Sequence, residues 1–214
     1  MKQAIFFLAF ITMVQMTLAQ DSRYVAAMKQ NIKQIDSAKT CEQLDRLSAS
    51  FERIGDAEKN AWLPYYYAAL CKATCGYRDA RADKDAIAEK ANLLLEKAEA
   101  INRNAEIAVV KYMIASLQLQ VNPMSRWEQY GPLMQNALTE GKKLDANNPR
   151  IFYMEGTNLF YTPVNFGGGK DAARPVLEKS LQLFASDKNG DDLAPRWGQA
   201  SAEALLAKCQ PTNK

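Results

Sequence analysis

The chain has 214 residues, with 27 Lys and Arg against 24 Asp and Glu, a formal net charge of +3, and no histidine. A charge so nearly balanced, with no basic block and no aromatics interleaved with arginines, argues against a nucleic-acid groove. The absence of histidine removes the commonest general base, the Ser-His and Cys-His nucleophile pairs, and the usual zinc and iron ligands.

Residues 1–19 read as a cleaved signal peptide. Lys2 supplies the positive start, Ile5 to Val14 is almost unbroken apolar sequence, and Thr17-Leu18-Ala19 offers small residues to a signal peptidase. The apolar run is shorter than the ~20 residues that a membrane-spanning helix needs. No cysteine follows it before Cys41 to carry a lipid. The expected product is exported, periplasmic or secreted, with no membrane insertion after cleavage. Residues 20–214 suffice for one domain with a real core.

From Ser22 onward the apolar spacing is helical. Tyr24, Val25, Met28, Ile32 and Ile35 share one face of a first helix. Thr40 caps a second, which carries Leu44, Leu47, Phe51 and Ile54 and is expected to stop at Gly55. A third is expected over Trp62–Cys75, ended by Gly76. A charged connector leads to Asp85–Ile101, and helices follow at about Ala105–Val121, Ser125–Leu144, Pro149–Tyr161, Lys170–Ala185 and Ala194–Cys209. No stretch alternates with period two for long enough to predict a strand. Helix pairs joined by short links point to an all-α stack whose last helix caps the open end.

The stretch Leu144–Phe184 carries a family resemblance. Asn147-Asn148-Pro149 makes a tight turn between two helices, Phe152 and Gly156 fall four residues apart on the next helix, and Ala173, Leu177 and Ser180 form a small-bulky-small set on the one after. The same spacing recurs at Ala91, Leu95, Ala98, at Met134, Leu138, Gly141, and more weakly at Leu47, Phe51, Ile54. Successive first positions lie 44, 43 and 39 residues apart. This pattern resembles the tetratricopeptide (TPR) repeat, in a degenerate form of exported bacterial type, although its period exceeds that family's usual ~34 residues. The resemblance implies a TPR-like α-solenoid of about four helix pairs plus a C-terminal capping helix. It places Gly156 at the close contact between paired helices. It turns Arg150, Tyr153, Thr157 and Tyr161, with Tyr66 from an earlier helix, toward a groove that in such proteins binds extended or helical peptides.

Four cysteines, at 41, 71, 75 and 209, show no paired C-x2-C spacing, so no metal site is expected. Disulfides are permitted in an exported chain. Cys41 and Cys75 are equidistant from the turn near Glu58 and should sit at one level of a helical hairpin. Cys71, one turn further in, is the second candidate, and the alternative is four small buried thiols. Asn165-Phe166-Gly167-Gly168-Gly169-Lys170-Asp171 fails the phosphate-loop pattern, and Asp187–Asp192 fails the calcium-loop pattern, so both read as turns. Tyr65, Tyr66 and Tyr67 are not expected to point inward together from one helix, nor are Phe152, Tyr153, Phe160 and Tyr161.

The function expected from these features is that of an exported, non-catalytic scaffold, binding a protein or peptide partner in the cell envelope with no cofactor. The alternative is a small-molecule-binding module associated with an envelope transporter, with the aromatic groove as its pocket. A third reading makes Glu155, beside Tyr153 and Tyr161, a carboxylate acid or base, although no second acid pairs with it.

Overall fold

Side-chain caps set most of the helix starts in a computed structural model of the chain, which describes residues 22–187 and 191–210. The expected signal peptide lies outside these residues, as do residues 188–190 of the calcium-like run. Helix α1 covers residues 22–37. Thr40 then opens α2 (Cys41–Glu58) with a capping box in which the Thr40 hydroxyl accepts from the Gln43 N–H and the Gln43 side chain accepts from the Thr40 N–H. The carboxylate of Asp83 caps α4 (Lys84–Ile101), and Asn104 caps α5 (Ala105–Val121). Asn122 and Asn148 cap α6 (Pro123–Leu144) and α7 (Pro149–Tyr161), each with proline at the first helical position, where the missing N–H is not needed. Helices α3 (Trp62–Arg78), α8 (Lys170–Ser186) and α9 (Gln199–Cys209) have no such side-chain cap.

The fold is all-α: the described residues form nine helices and no strand. Each helix from α2 onward packs on the next, and α3, α5, α7 and α9 also touch in series to form one wall. Helices α2, α4, α6 and α8 carry the repeated small-bulky-small sets, and Ala91, Leu95, Ala98, Met134, Leu138, Ala173, Leu177 and Ser180 are all buried. Gly156 meets one of these sets: a Cβ added there would stand 2.6 Å from Leu177 Cδ2.

Four expectations are corrected. Gly55 does not stop α2, which runs to Glu58 and ends at Lys59 in a left-handed conformation, φ 52°. Gly55 lies inside the helix, where an added Cβ would stand 2.8 Å from the Tyr65 ring. Nor does Gly76 end α3, which continues to Arg78. Tyr65, Tyr66 and Tyr67 do all point inward, because α3 is flanked by α2, α4 and α5 and has no solvent face at that level. The last helix begins at Gln199, not near Ala194, and residues 191–198 run non-helically across the wall.

Cys41 and Cys75 form a disulfide, with Cα atoms 4.7 Å apart, linking α2 to α3. Cys71 and Cys209 are free and buried. Among the described residues no helix is long and apolar enough to cross a membrane.

Candidate functional site

The wall formed by α3, α5 and α7 divides into two halves. At its N-terminal half, Arg150 is almost fully buried and reaches Glu106 on α5 through an ion pair of 3.0 Å. The Tyr66 hydroxyl also donates to Glu106, at 3.0 Å, and the Asn148 amide does so at 2.6 Å. Glu106 is thus held by three donors, which is what a shielded carboxylate requires. The Arg150 guanidinium lies over the Phe184 and Trp197 rings, 5.5 and 5.7 Å from their centroids. Its Nε has no hydrogen-bond partner, and the flanking rings account for that. Burial holds the Tyr66 and Tyr67 phenols well above their ordinary pKa, so both remain donors.

A non-helical segment covers this half. The Leu193 and Pro195 carbonyls accept from Tyr67 and Arg150, and the Trp197 indole N–H donates to the Tyr66 hydroxyl. Of the residues expected to face the groove, Tyr66 and Arg150 therefore lie beneath the chain's own backbone. A polar cleft of about 240 Å³ opens nearby over Glu106, Asp145, Asn148, Arg150 and Ser186. Its lining is polar and offers no apolar wall for a large ligand.

The C-terminal half of the wall is different. Tyr153, Thr157 and Tyr161 follow one another along the same face of α7, and Thr157 donates its hydroxyl to the Tyr153 carbonyl at 2.8 Å. The Tyr153 hydroxyl lies against the Thr157 and Ser201 side chains, and Tyr161 is near enough to act on it electrostatically. Tyr77 on α3 donates to the Met113 carbonyl at 2.9 Å and leaves part of its ring exposed. Tyr112 on α5 is near enough to both Tyr77 and Tyr153 to feel them electrostatically. Burial raises the phenol pKa of Tyr77, Tyr112 and Tyr153 above the usual value. All three are neutral near pH 7. Tyr161 is 70% exposed, and Val164 and Phe166, which follow it in the chain, are exposed too.

Of the five residues expected on the groove, Tyr153, Thr157 and Tyr161 share one face of α7, while Tyr66 and Arg150 lie apart from them under the covering segment. Tyr77 on α3, Tyr112 on α5 and Ser201 on α9 lie near Tyr153 as well, and the sequence reading did not single them out. Only the recurrence of hydroxyl-bearing residues on alternate helices could have signalled them. Glu155 faces away, paired with Lys142 at 2.6 Å. The one group of potential metal ligands among the described residues is Cys41, Asp45 and Cys75, and its two sulfurs are joined in the disulfide. The Phe166-Gly167-Gly168-Gly169 loop is a 3-10 turn followed by Gly167 in the left-handed region, φ 81°.

No protein-family model matches the sequence, and no curated protein matches it. Among solved structures, the HusA haemophore of Porphyromonas gingivalis is similar over 89% of this chain and 94% of its own. The two are 34% identical and superpose with a TM-score of 0.81. An identity of that size, sustained over nearly the full length of both chains, extends beyond a shared helical architecture, and the chain belongs to the family of the HusA haemophore.

Proposed function

We propose that this protein is an exported, non-catalytic binding protein whose ligand is a haem-like planar macrocycle, held against Tyr77, Tyr153 and Tyr161, with Tyr112 buried behind them. The observation that carries this reading is the division of the wall. The N-terminal half is filled by residues 191–198, which leaves Tyr77, Tyr153 and Tyr161 as the wall's accessible aromatic rings, a set that a compact flat ligand could stack on. A partner peptide running the length of the wall would meet the chain's own backbone. The alternative expected from sequence, a small-molecule module, therefore has more support than the peptide scaffold, and membership of a haemophore's family favours the same ligand class. The series of contacts α3–α5–α7–α9 supports a TPR-like solenoid of four helix pairs with α9 as its cap.

The residues present fit such a ligand in one particular way. With no histidine in the chain, tyrosine would be an available iron ligand. Burial, however, keeps Tyr77, Tyr112 and Tyr153 protonated. Aromatic faces, with the Ser201 hydroxyl beside them, then do most of the holding.

The test is titration of the mature chain with haemin and with metal-free protoporphyrin, read by the Soret band. Both should bind, and Tyr153→Ala or Tyr77→Ala should weaken binding by about tenfold, as loss of a stacked aromatic predicts. An unchanged Soret band, or affinities indifferent to both substitutions, would defeat the proposal.

A further inference from the structure

The link between α8 and α9 spans residues 187–198, longer than the ~4–6 residues typical of a helix-to-helix connection. Its part from Asp191 to Gly198 is not a surface loop, since Leu193, Ala194 and Pro195 are buried. Anchors from three helices hold it. On α1, Lys29 pairs with Asp192 at 2.5 Å. On α3, the Tyr67 hydroxyl donates to the Leu193 carbonyl at 2.8 Å, and the Tyr66 hydroxyl accepts from Trp197 at 2.8 Å. On α7, Arg150 donates to the Pro195 carbonyl.

The exit of this segment leads directly into the tyrosine groove. Gly198 has φ 108°, and a Cβ there would lie 3.1 Å from Phe184 and 3.7 Å from the Tyr153 ring. Three residues on, Ser201 in the first turn of α9 approaches the Tyr153 hydroxyl. Tyr153 is therefore held between the segment's exit and α9.

We infer that Asp191–Gly198 is a strap whose docking on α1, α3 and α7 positions Tyr153, and that it thereby sets how long the groove retains its ligand. The second half of that statement rests on the groove reading above. Two anchors are made by strap backbone carbonyls, which survive side-chain replacement. Trp197→Phe removes one hydrogen bond while keeping a ring on Arg150. Lys29→Ala removes only a surface ion pair. Neither residue contacts Tyr153 in the ring and hydrogen-bond network described above, and Lys29→Ala leaves the buried core untouched, whereas Trp197→Phe trims one ring packed on its edge.

The experiment uses the mature chain labelled with 3-fluorotyrosine, with Tyr153→Phe to assign the Tyr153 fluorine resonance and haemin as the ligand. In Trp197→Phe, amide exchange across residues 193–198 should quicken by about fivefold or more, the size of effect one lost hydrogen bond gives. The Tyr153 resonance should move or broaden while that of Tyr130 stays fixed, and haemin dissociation should quicken by a similar factor. Lys29→Ala should do the same more weakly, and Lys29→Arg should restore wild-type values. Faster strap exchange with an unmoved Tyr153 resonance overturns the inference, as does exchange that ignores both substitutions. If the wild-type chain takes up no haemin, the groove reading fails alone, and the Tyr153 resonance still decides whether the strap positions it. If haemin binds and its dissociation ignores an undocked strap, retention is not set there.

Discussion

Trp197 donates its indole N–H to the hydroxyl of Tyr66, 2.8 Å away across 131 residues of chain. The same hydroxyl donates in turn to Glu106, so one buried oxygen links the end of the strap to α5. Tyr66→Phe leaves the Trp197 indole N–H without its acceptor and takes one of the three donors from Glu106, while keeping the ring's volume. An unpartnered shielded donor costs ~1–3 kcal/mol, and urea unfolding should register a loss in that range. A variant as stable as wild type would show that the network is not held in solution.

Arg150 and Glu106 make a second, sharper case. Their side chains are 3% and 13% exposed, so removing one leaves a shielded charge without its partner. Arg150→Met should destabilise the protein by ~3–5 kcal/mol. Adding Glu106→Gln, which neutralises the stranded carboxylate but keeps an acceptor for Tyr66, should recover part of that loss. Chemical denaturation of the two variants checks both the size and the recovery.

The disulfide between Cys41 and Cys75 closes a loop with a sequence separation of 34 residues. On the chain-entropy model its reduction should cost about 4 kcal/mol. Burial pushes the Cys71 thiol up to about 12, although it lies only one turn from Cys75. At pH 8 the thiolate fraction is then on the order of one in ten thousand. Native protein should give no rapid reaction with a thiol reagent at Cys71, and the thiol should appear only on unfolding. Rapid labelling of the native state at Cys71 would contradict its burial.

Much of this arrangement was legible in the sequence because it is written in local chemistry. Asparagine, threonine and proline at helix starts, and the recurring small-bulky-small sets, carry signals that do not depend on the rest of the fold. Tyr153, Thr157 and Tyr161 are four residues apart, so one helix suffices to align them. The strap left no such trace. Leu193-Ala194-Pro195-Arg196-Trp197 has no period, Pro195 resembles a residue in the first turn of a helix, and two of its anchors are backbone carbonyls that any residue could supply. The three tyrosines of α3 misled for a related reason. A one-sided helix is a reasonable expectation until neighbours cover the other side, and only the tertiary packing of α2, α4 and α5 does so.

Gly156 tests the packing of α7 on α8. A side chain there meets Leu177 Cγ and Cδ2 at 2.7 and 2.6 Å, while helix propensity alone favours any replacement of an interior glycine by up to ~1 kcal/mol. Gly156→Leu should be destabilising by ~1–3 kcal/mol because an overpacked contact outweighs that gain. Gly156→Ala is the informative companion: its single methyl meets the movable end of Leu177, so its loss should be the smaller. A rise in melting temperature for Gly156→Leu would place this glycine at solvent.

The buried tyrosines set the alkaline limit of the fold. Tyr66, Tyr67 and Tyr112 are at most 2% exposed, and burial raises each phenol pKa above the ordinary tyrosine value of about 10. A raised folded-state pKa means that the folded chain holds more protons than the unfolded one above pH 10. The stability linked to these groups is therefore fully present below pH ~10 and is lost as the pH climbs beyond it. Three such groups together remove ~4 kcal/mol per pH unit in that range. Against a typical total of ~5–15 kcal/mol, unfolding should occur within a few pH units above 10. Tyrosinate absorbance should then rise in a steep phase coincident with loss of helical circular dichroism, and Tyr66→Phe should move that phase to higher pH relative to its own neutral stability. Smooth, independent ionisation of these phenols with the helices intact would mean that water reaches them in the native state.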